Sequence, residues 1–251
     1  WFPAGSPICR VHGDASMYLG GLRALMLQSL HPVAMAAVAQ HSSYRTELWG
    51  RVASTSRFVA VTTFGTADDA ERAVAAVRRV HATVRGRTTD GRPYRADDPH
   101  LLEWVHAAEI DSFLTAYQRF GRRRLTPAEA DEYVAQAGSV TLRLGARHVP
   151  VTVAELAATI DCYRDELAGT PEAREAVRHL LTAPLSWPAR IPYGTLYAAA
   201  AASLPGWARG MLGVPRLPVV DELALAPAGY VAGRAMVGGL RWLVTGARGG
   251  S

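Results

Sequence analysis

TADDAERAVAAVRRVHATVRG, residues 66–86, carries the signals of one helix with a defined start and stop. Thr66 is a favoured N-terminal capping residue, acidic residues follow in the first turn, and Gly86 is the residue type that commonly follows a helix C-terminus. Apolar residues recur between them at helical spacing. The stretch therefore predicts an amphipathic helix of about five turns.

The same signals recur along most of the chain. Residues 97–121 predict a long helix, and residues 126–145 predict another, with Thr126 as its cap and Glu129 at its third position. Residues 88–99 are polar and rich in turn formers, which predicts a loop. No stretch alternates convincingly with period two, so the predicted fold class is all-α, with short strands at most a detail. Further helices are predicted from residues 17–30, 33–40, 152–169 and 170–184.

The composition is that of an ordinary globular protein. Apolar residues make up 49% of the 251 residues and charged residues 20%, which is enough to build one sizeable core. The chain is expected to form one large domain, or one domain with a C-terminal extension. No run of about 18 uninterrupted apolar residues occurs, so no transmembrane helix is predicted.

Charge and cysteine content narrow the class of protein. The net charge is +5, but the 27 basic residues are all arginines and are scattered along the chain, so no nucleic-acid partner is expected. Cys9 and Cys162 lie far apart and no Cys-x-x-Cys occurs, which excludes a cysteine-based zinc site. We expect two free thiols in a cytoplasmic protein. Because the chain starts at Trp1, an N-terminal leader that has been removed is kept as an alternative.

Most of the histidines are interpreted as structural. His106 and Glu109 form His-x-x-Glu once, which is neither the repeated Glu-x-x-His of di-iron bundles nor the His-Glu-x-x-His of zinc hydrolases. His106 is therefore expected to be a hydrogen-bonded core residue. His31 precedes Pro32 at a helix break, where an imidazole often caps the broken hydrogen bonds. No role is assigned to the histidines expected in loops or on polar faces: His12, His100, His148 and His179.

His81 differs because of its neighbours. Arg78 and Arg85 lie three residues before it and four after it, so one helix would put all three on one face. Two nearby cations would keep the imidazole neutral and able to bind a metal, and they would also pair with carboxylates beside that metal. Haem has this shape, with an iron that takes one imidazole and two propionates that take arginines. The alternative is a solvated arginine stripe around a buried histidine.

A second helix offers a pair of hydrogen-bond donors. Arg51 and Thr55 lie at positions i and i+4, with Ser54 beside them. Such a pair could lie over a ligand and polarise bound oxygen. By itself the pair is a weak signal, because this spacing is common in helices.

Taken in order, several segments resemble the bacterial haem-binding branch of the MpaB/rubber-oxygenase (latex clearing protein) catalytic-domain family. They are LQSLHP (27–32), the Arg51/Thr55 pair, RVHATVRG (79–86), DGRPYRADDPHLLEWVHA (90–107) and DSFLTAYQRFG (111–121). The resemblance is clear over about residues 10–145 and faint as far as LPGWARGMLG (204–213). The C-terminal part of the chain, about residues 150–245, is expected to be helical and rich in proline. It implies a single haem-binding oxygenase-like domain over 1–251, with an all-helical, globin-like core around haem b.

The resemblance also implies residue roles. His81 would be the proximal iron ligand, flanked by Arg78 and Arg85. Arg51 and Thr55 match the family's distal helix, but Ser54 stands where the rubber oxygenases have a lysine, which implies a distal site open to water, oxygen or substrate. The family's catalytic glutamate has no secure counterpart, the nearest residues being Gln40 and His41. Rubber-type alkene cleavage is therefore not the expected reaction, whereas haem binding is.

The leading hypothesis is a haem b oxygenase or oxidase acting on a hydrophobic small molecule. It would use dioxygen or peroxide and an electron donor that the sequence does not identify, with Arg51 and Thr55 orienting the oxidant by hydrogen bonds. One alternative is a non-catalytic haem protein for sensing, storage or electron transfer. The other is a helical DNA-binding regulator, which would need a basic recognition helix that the scattered arginines do not provide.

Overall fold

The structure is a computed structural model that describes residues 1–41, 48–182 and 187–215. In this part of the chain the elements are almost all helices, so the all-α prediction is confirmed. The helices are α1 Pro7–His12, α2 Met17–Gln28, α3 Pro32–His41, α4 Leu48–Phe64, α5 Ala67–Thr83, α6 Pro99–Phe120, α7 Pro127–Leu144, α8 Val153–Cys162, α9 Pro171–Leu181, α10 Trp187–Ala202 and α11 Gly206–Leu212. Two short strands, β1 Arg85–Arg87 and β2 Pro93–Arg95, form a hairpin, and a 3₁₀ turn covers Arg164–Glu166.

Helix α6 is the centre of the packing. One of its faces packs on α2, and Trp104 and Phe120 there belong to a core cluster that also includes residues of α9 and α10; the opposite face packs with α1, α7 and α8 around Ile110. Gly20 lets α2 approach α6 closely, since a Cβ there would lie 2.7 Å from Cδ1 and 3.1 Å from Cα of Phe113. Because both faces are buried, polar residues on α6 must find partners inside the protein.

The helix starts predicted from the sequence are confirmed. The hydroxyl of Thr66 accepts a hydrogen bond from the backbone of Asp69, and Thr126 and Glu129 form a complete capping box. Gly145 ends α7 with a φ of 118°, a left-handed conformation that glycine adopts without strain. These contacts depend only on near neighbours in the chain, which is why their positions could be predicted.

The end of α5 differs from the prediction. The helix stops at Thr83, and Arg85–Arg87 pairs with Pro93–Arg95 instead of continuing the helix or forming an open loop. The backbone groups near Gly86 are used by the hairpin. Gly86 is thus not a helix cap but a site of close approach, since a Cβ there would collide with the side chain of Tyr94.

Two predictions from composition can also be compared with the structure. Cys9 and Cys162 are free thiols, as predicted. No single helix in the described ranges is long and apolar enough to cross a membrane, while α2 and α3 meet that test only as a pair bent by 107°.

Candidate functional site

His81 lies in the last turn of α5 and is half-buried. Arg78, one turn earlier, is exposed and donates a hydrogen bond of 3.4 Å to the carbonyl of Arg143. Arg85 lies on β1 beyond the helix end, and its Nε donates to the carbonyl of Ala82 at 3.2 Å. The prediction that Arg85 shares a helix face with His81 is therefore wrong, although its guanidinium folds back onto the last turn of α5.

Helix α5 and the hairpin that follows it are rich in arginines. Arg92 and Arg95 on the hairpin are paired with Asp90 and Asp97. Four other arginines of this region form no ion pair with any residue in the ranges 1–41, 48–182 and 187–215. They are Arg78, Arg79, Arg85 and Arg87. Those with hydrogen bonds bind neutral backbone carbonyls. This end of the molecule is therefore suited to an anionic ligand.

Helix α4 brings the predicted distal residues to the same end of the molecule. Helices α4 and α5 pack against each other and are joined by Gly65 and Thr66. At about 1.5 Å per residue, Arg51 and His81 each lie roughly 20 Å from that connection, and Thr55 lies about one turn closer to it. Thr55 is exposed, and the side chain of Arg51 lies outside what the structure describes. The packing of α4 on α5 thus puts Arg51, Thr55 and His81 at similar distances from the α4–α5 connection. It does not establish a contact between their side chains.

The C-terminus of α3 is tied to the hairpin that follows His81. The amide of Gln40 donates to the carbonyl of Arg87 at 2.8 Å and accepts a hydrogen bond from the Tyr94 hydroxyl at 2.8 Å. The ring of His41 lies edge-on to Tyr94, at 6.1 Å between centroids. Gln40 is therefore a neutral connector between α3 and the hairpin, which leaves no carboxylate at the position nearest to the family's catalytic glutamate.

His106 is a core residue, as predicted. It is 5% exposed, and its Nδ1 lies 2.6 Å from the hydroxyl of Thr141 on α7. Burial lowers the pKa of His106 to about 3, so the ring is neutral at pH 7. His106 thus stabilises the packing of α6 on α7.

His12 contradicts the prediction that it lies in a loop or on a polar face without a role. It is in α1 and faces the interior, with Nδ1 2.8 Å from the Thr63 hydroxyl and Nε2 3.3 Å from the Tyr133 hydroxyl. Burial lowers its pKa to about 3. The sequence around His12 contains no signal for these partners, because they come from α4 and α7.

Glu109 is the second polar group that α6 presents to α7. Burial raises its pKa to about 7, and the same burial, together with the charge of Glu109, raises the pKa of Tyr133. No hydrogen bond joins the Glu109 carboxyl to another residue within the described ranges. Much of the carboxyl is therefore protonated near neutral pH.

A third group of polar residues was missed by the sequence analysis. His31 caps the start of α3 as predicted, since the N–H of Ala34 points at its Nδ1 at 3.4 Å. His100 was expected to have no role, but its Nε2 lies 2.9 and 2.8 Å from the two carboxylate oxygens of Glu166. His31 Nε2 lies 3.5 Å from the same carboxylate. Three segments far apart in the chain thus meet at one carboxylate.

The chain can now be compared with known proteins. A sequence model of the family described as ER-bound oxygenase mpaB/B'/Rubber oxygenase, catalytic domain, matches residues 9–242. The chain belongs to this family. The match extends well past the region in which the motifs are clear, and it identifies an oxygenase-type catalytic domain and an oxidoreductase enzyme. No curated protein and no solved structure matches the chain.

Proposed function

We propose that this member of the family is a haem b-dependent oxygenase or oxidase that acts on a hydrophobic small molecule, with His81 as the proximal iron ligand. The observation that carries the proposal is the combination of a half-buried imidazole at the end of α5 with exposed arginines before and after it, Arg78 and Arg85, that form no ion pair within the described residues. Haem needs one such imidazole and two cations for its propionates. When bound, haem would supply the redox chemistry.

The described residues fit this group on two counts. Arg78 lies one turn before His81 on α5 and Arg85 lies on β1 four residues after it, so one guanidinium group on each side of His81 in the chain would be available to pair with a propionate. Their hydrogen bonds to carbonyls are long, at 3.4 and 3.2 Å, and could be exchanged for shorter charge-assisted ones. His106 does not fit, because it is buried between α6 and α7 with Thr141 at its Nδ1.

Helix α4 would supply the opposite side of the site. Arg51 and Thr55 can donate hydrogen bonds to an oxidant, either dioxygen or peroxide, and would orient it toward the substrate. Ser54 has no amine with which to bind iron, so α4 would leave access there for water or oxidant. Gln40 cannot act as a base, so a proton would have to move through water, Thr55 or the substrate itself.

The direct test is the absorption spectrum of the full chain expressed with haem supplementation. We expect about one haem b per chain, measured by its Soret band and by the pyridine haemochrome assay. A protein that stays colourless after supplementation would contradict the proposal.

Turnover separates the enzyme from a non-catalytic haem protein. With a reductant and lipophilic test substrates, the enzyme should consume oxygen or peroxide and form an oxidised product. Haem binding without any such consumption would favour the sensing or electron-transfer alternative.

A further inference from the structure

A second group of polar side chains, away from His81 in the chain, is formed by His31, His100 and Glu166. One ligand atom from each residue lies within 4.8 Å of the other two. His31 comes from the α2–α3 break, His100 from the first turn of α6 and Glu166 from the 3₁₀ turn after α8. Two imidazoles and one carboxylate form a ligand set used by zinc and by non-haem iron sites.

His31 has a buried nitrogen that makes only a long contact with Glu166. The residue is 3% exposed, its Nε2 is buried, and the 3.5 Å separation from Glu166 is too long for a well-formed hydrogen bond. A buried polar nitrogen in this state costs free energy, which a cation between it and the carboxylate would recover. Nε2 of His31 thus faces the other ligand atoms of the group.

His100 is already oriented as a ligand. The Tyr163 hydroxyl donates to the carbonyl of His100 at 2.8 Å, so its oxygen is left to accept from His100 Nδ1 at 3.1 Å. Nδ1 then carries a hydrogen and Nε2 faces Glu166. A hydrogen bond from the far nitrogen of the ring is the usual means of orienting a metal-binding histidine.

The distances fit a small ion. Zinc bonds of about 2.0–2.1 Å in a tetrahedral arrangement put neighbouring ligand atoms roughly 3.3 Å apart. The separations from Glu166 Oε2 are 2.8 Å to His100 and 3.5 Å to His31, so sub-ångström shifts are enough. His31 would give up its contact with Ala34, which is near the limit of hydrogen bonding at 3.4 Å.

We propose that His31, His100 and Glu166 bind one divalent transition-metal ion, Zn²⁺ in the first instance. The side chains of His100 and Glu166 are 51% and 44% exposed, and an open depression lined by Asp98, Glu103, Arg147 and His148 begins at His100. Water can therefore complete the coordination. The ion would tie α3, α6 and the 164–166 turn together, and it is independent of haem at His81.

The test is Zn²⁺ titration of the full chain after chelator treatment, followed by calorimetry and by metal analysis. We expect one Zn²⁺ per chain and a higher unfolding temperature, and with Co²⁺ the visible absorption of a site with nitrogen and oxygen ligands. His100→Ala and Glu166→Gln should each weaken binding by more than about 100-fold, since both remove a direct ligand. His31→Gln, checked for folding by circular dichroism, should do the same.

Matched variants separate this site from chance binding and from haem. Asp165→Asn changes an exposed carboxylate on the same turn and should leave the affinity unchanged. His81→Ala should also retain Zn²⁺ binding, so failure of the haem proposal would not affect this one. Absence of stoichiometric Zn²⁺ binding, or full affinity in both His100→Ala and Glu166→Gln, would overturn the proposal. Tighter binding of Fe²⁺ under anaerobic conditions would keep the site and change the metal.

Discussion

Two histidines on helices have opposite surroundings, at the end of α5 and at the α6–α7 interface. His81 is half-buried, and Arg78 and Arg85 before and after it in the chain form no ion pair within the described residues. His106, in contrast, is buried against a threonine hydroxyl, with Glu109 on the same helix. Both residues lie on amphipathic helices, so helical position alone does not separate them. The difference shows that two histidines on amphipathic helices can differ in solvent access and in the groups beside them, and our proposal assigns the ligand role on that basis.

The largest expected effect is on haem binding. His81→Ala should lose haem, because it removes the bond between protein and iron. His106→Ala should keep haem but lower the free energy of unfolding by about 1–3 kcal/mol, because Thr141 loses its buried partner. Haem content and urea unfolding of both variants measure these effects, and a reversal of the two outcomes would show that the comparison assigns the wrong ligand.

The next effect concerns catalysis at the same end of the molecule. Arg51→Ala and Thr55→Ala should each leave haem content near normal while lowering turnover by about 10²–10³-fold, the usual cost of removing an oriented donor at a charge-developing oxygen. Ser54→Ala, on the same helix, serves as the control and should change turnover little. Unchanged turnover in both donor variants would remove α4 from the mechanism.

At the α6–α7 interface, replacing Glu109 is expected to raise the free energy of unfolding in a pH-dependent way. The folded pKa of Glu109, about 7, lies above the ordinary value of 4.5. Its contribution to stability is thus present below pH 4.5 and is lost as the pH rises through 7. Glu109→Gln should raise the free energy of unfolding by about 2–3 kcal/mol at pH 9 and change it little at pH 4.5.

Urea unfolding at the two pH values measures this difference. Glu71→Gln is the matched control, because Glu71 is 60% exposed and only 3.6 Å from Arg143, a pair that contributes little. An equal effect of Glu109→Gln at both pH values would show that the carboxyl is solvated and that the interface is not as dry as its packing indicates.

The last expected effect concerns acid stability. The folded pKa values of His12 and His106, about 3, lie below the ordinary value of 6.5. Between pH 6.5 and 3 the unfolded chain binds more protons, so stability falls with decreasing pH by up to about 1.4 kcal/mol per pH unit for each residue. His106→Gln should remove one such contribution, which unfolding curves at pH 7, 6, 5 and 4 would detect. An unchanged slope would mean that His106 is protonated in the folded protein.

Most of the fold could be predicted from the sequence, because its signals are local. Thr66 and Thr126 cap helices through residues three positions away, and apolar spacing identifies the faces of the helices in between. The family could also be recognised from motifs in their order along the chain, and the matched range confirms it. His81 and Arg78 belong to the same category, since one helical turn brings them together.

Contacts between distant segments depended on tertiary structure alone. Arg85 follows His81 by four residues in the sequence, but it pairs with Arg95 in the hairpin and therefore does not lie on the helix face. His12 and His100 gave no signal, because their partners lie on α4, α7 and the turn after α8. By itself the sequence determined the helices, the family and the imidazole at the end of α5, since capping and periodicity act over a few residues. Only packing around α6 decided which polar groups became buried, neutral or gathered at one carboxylate.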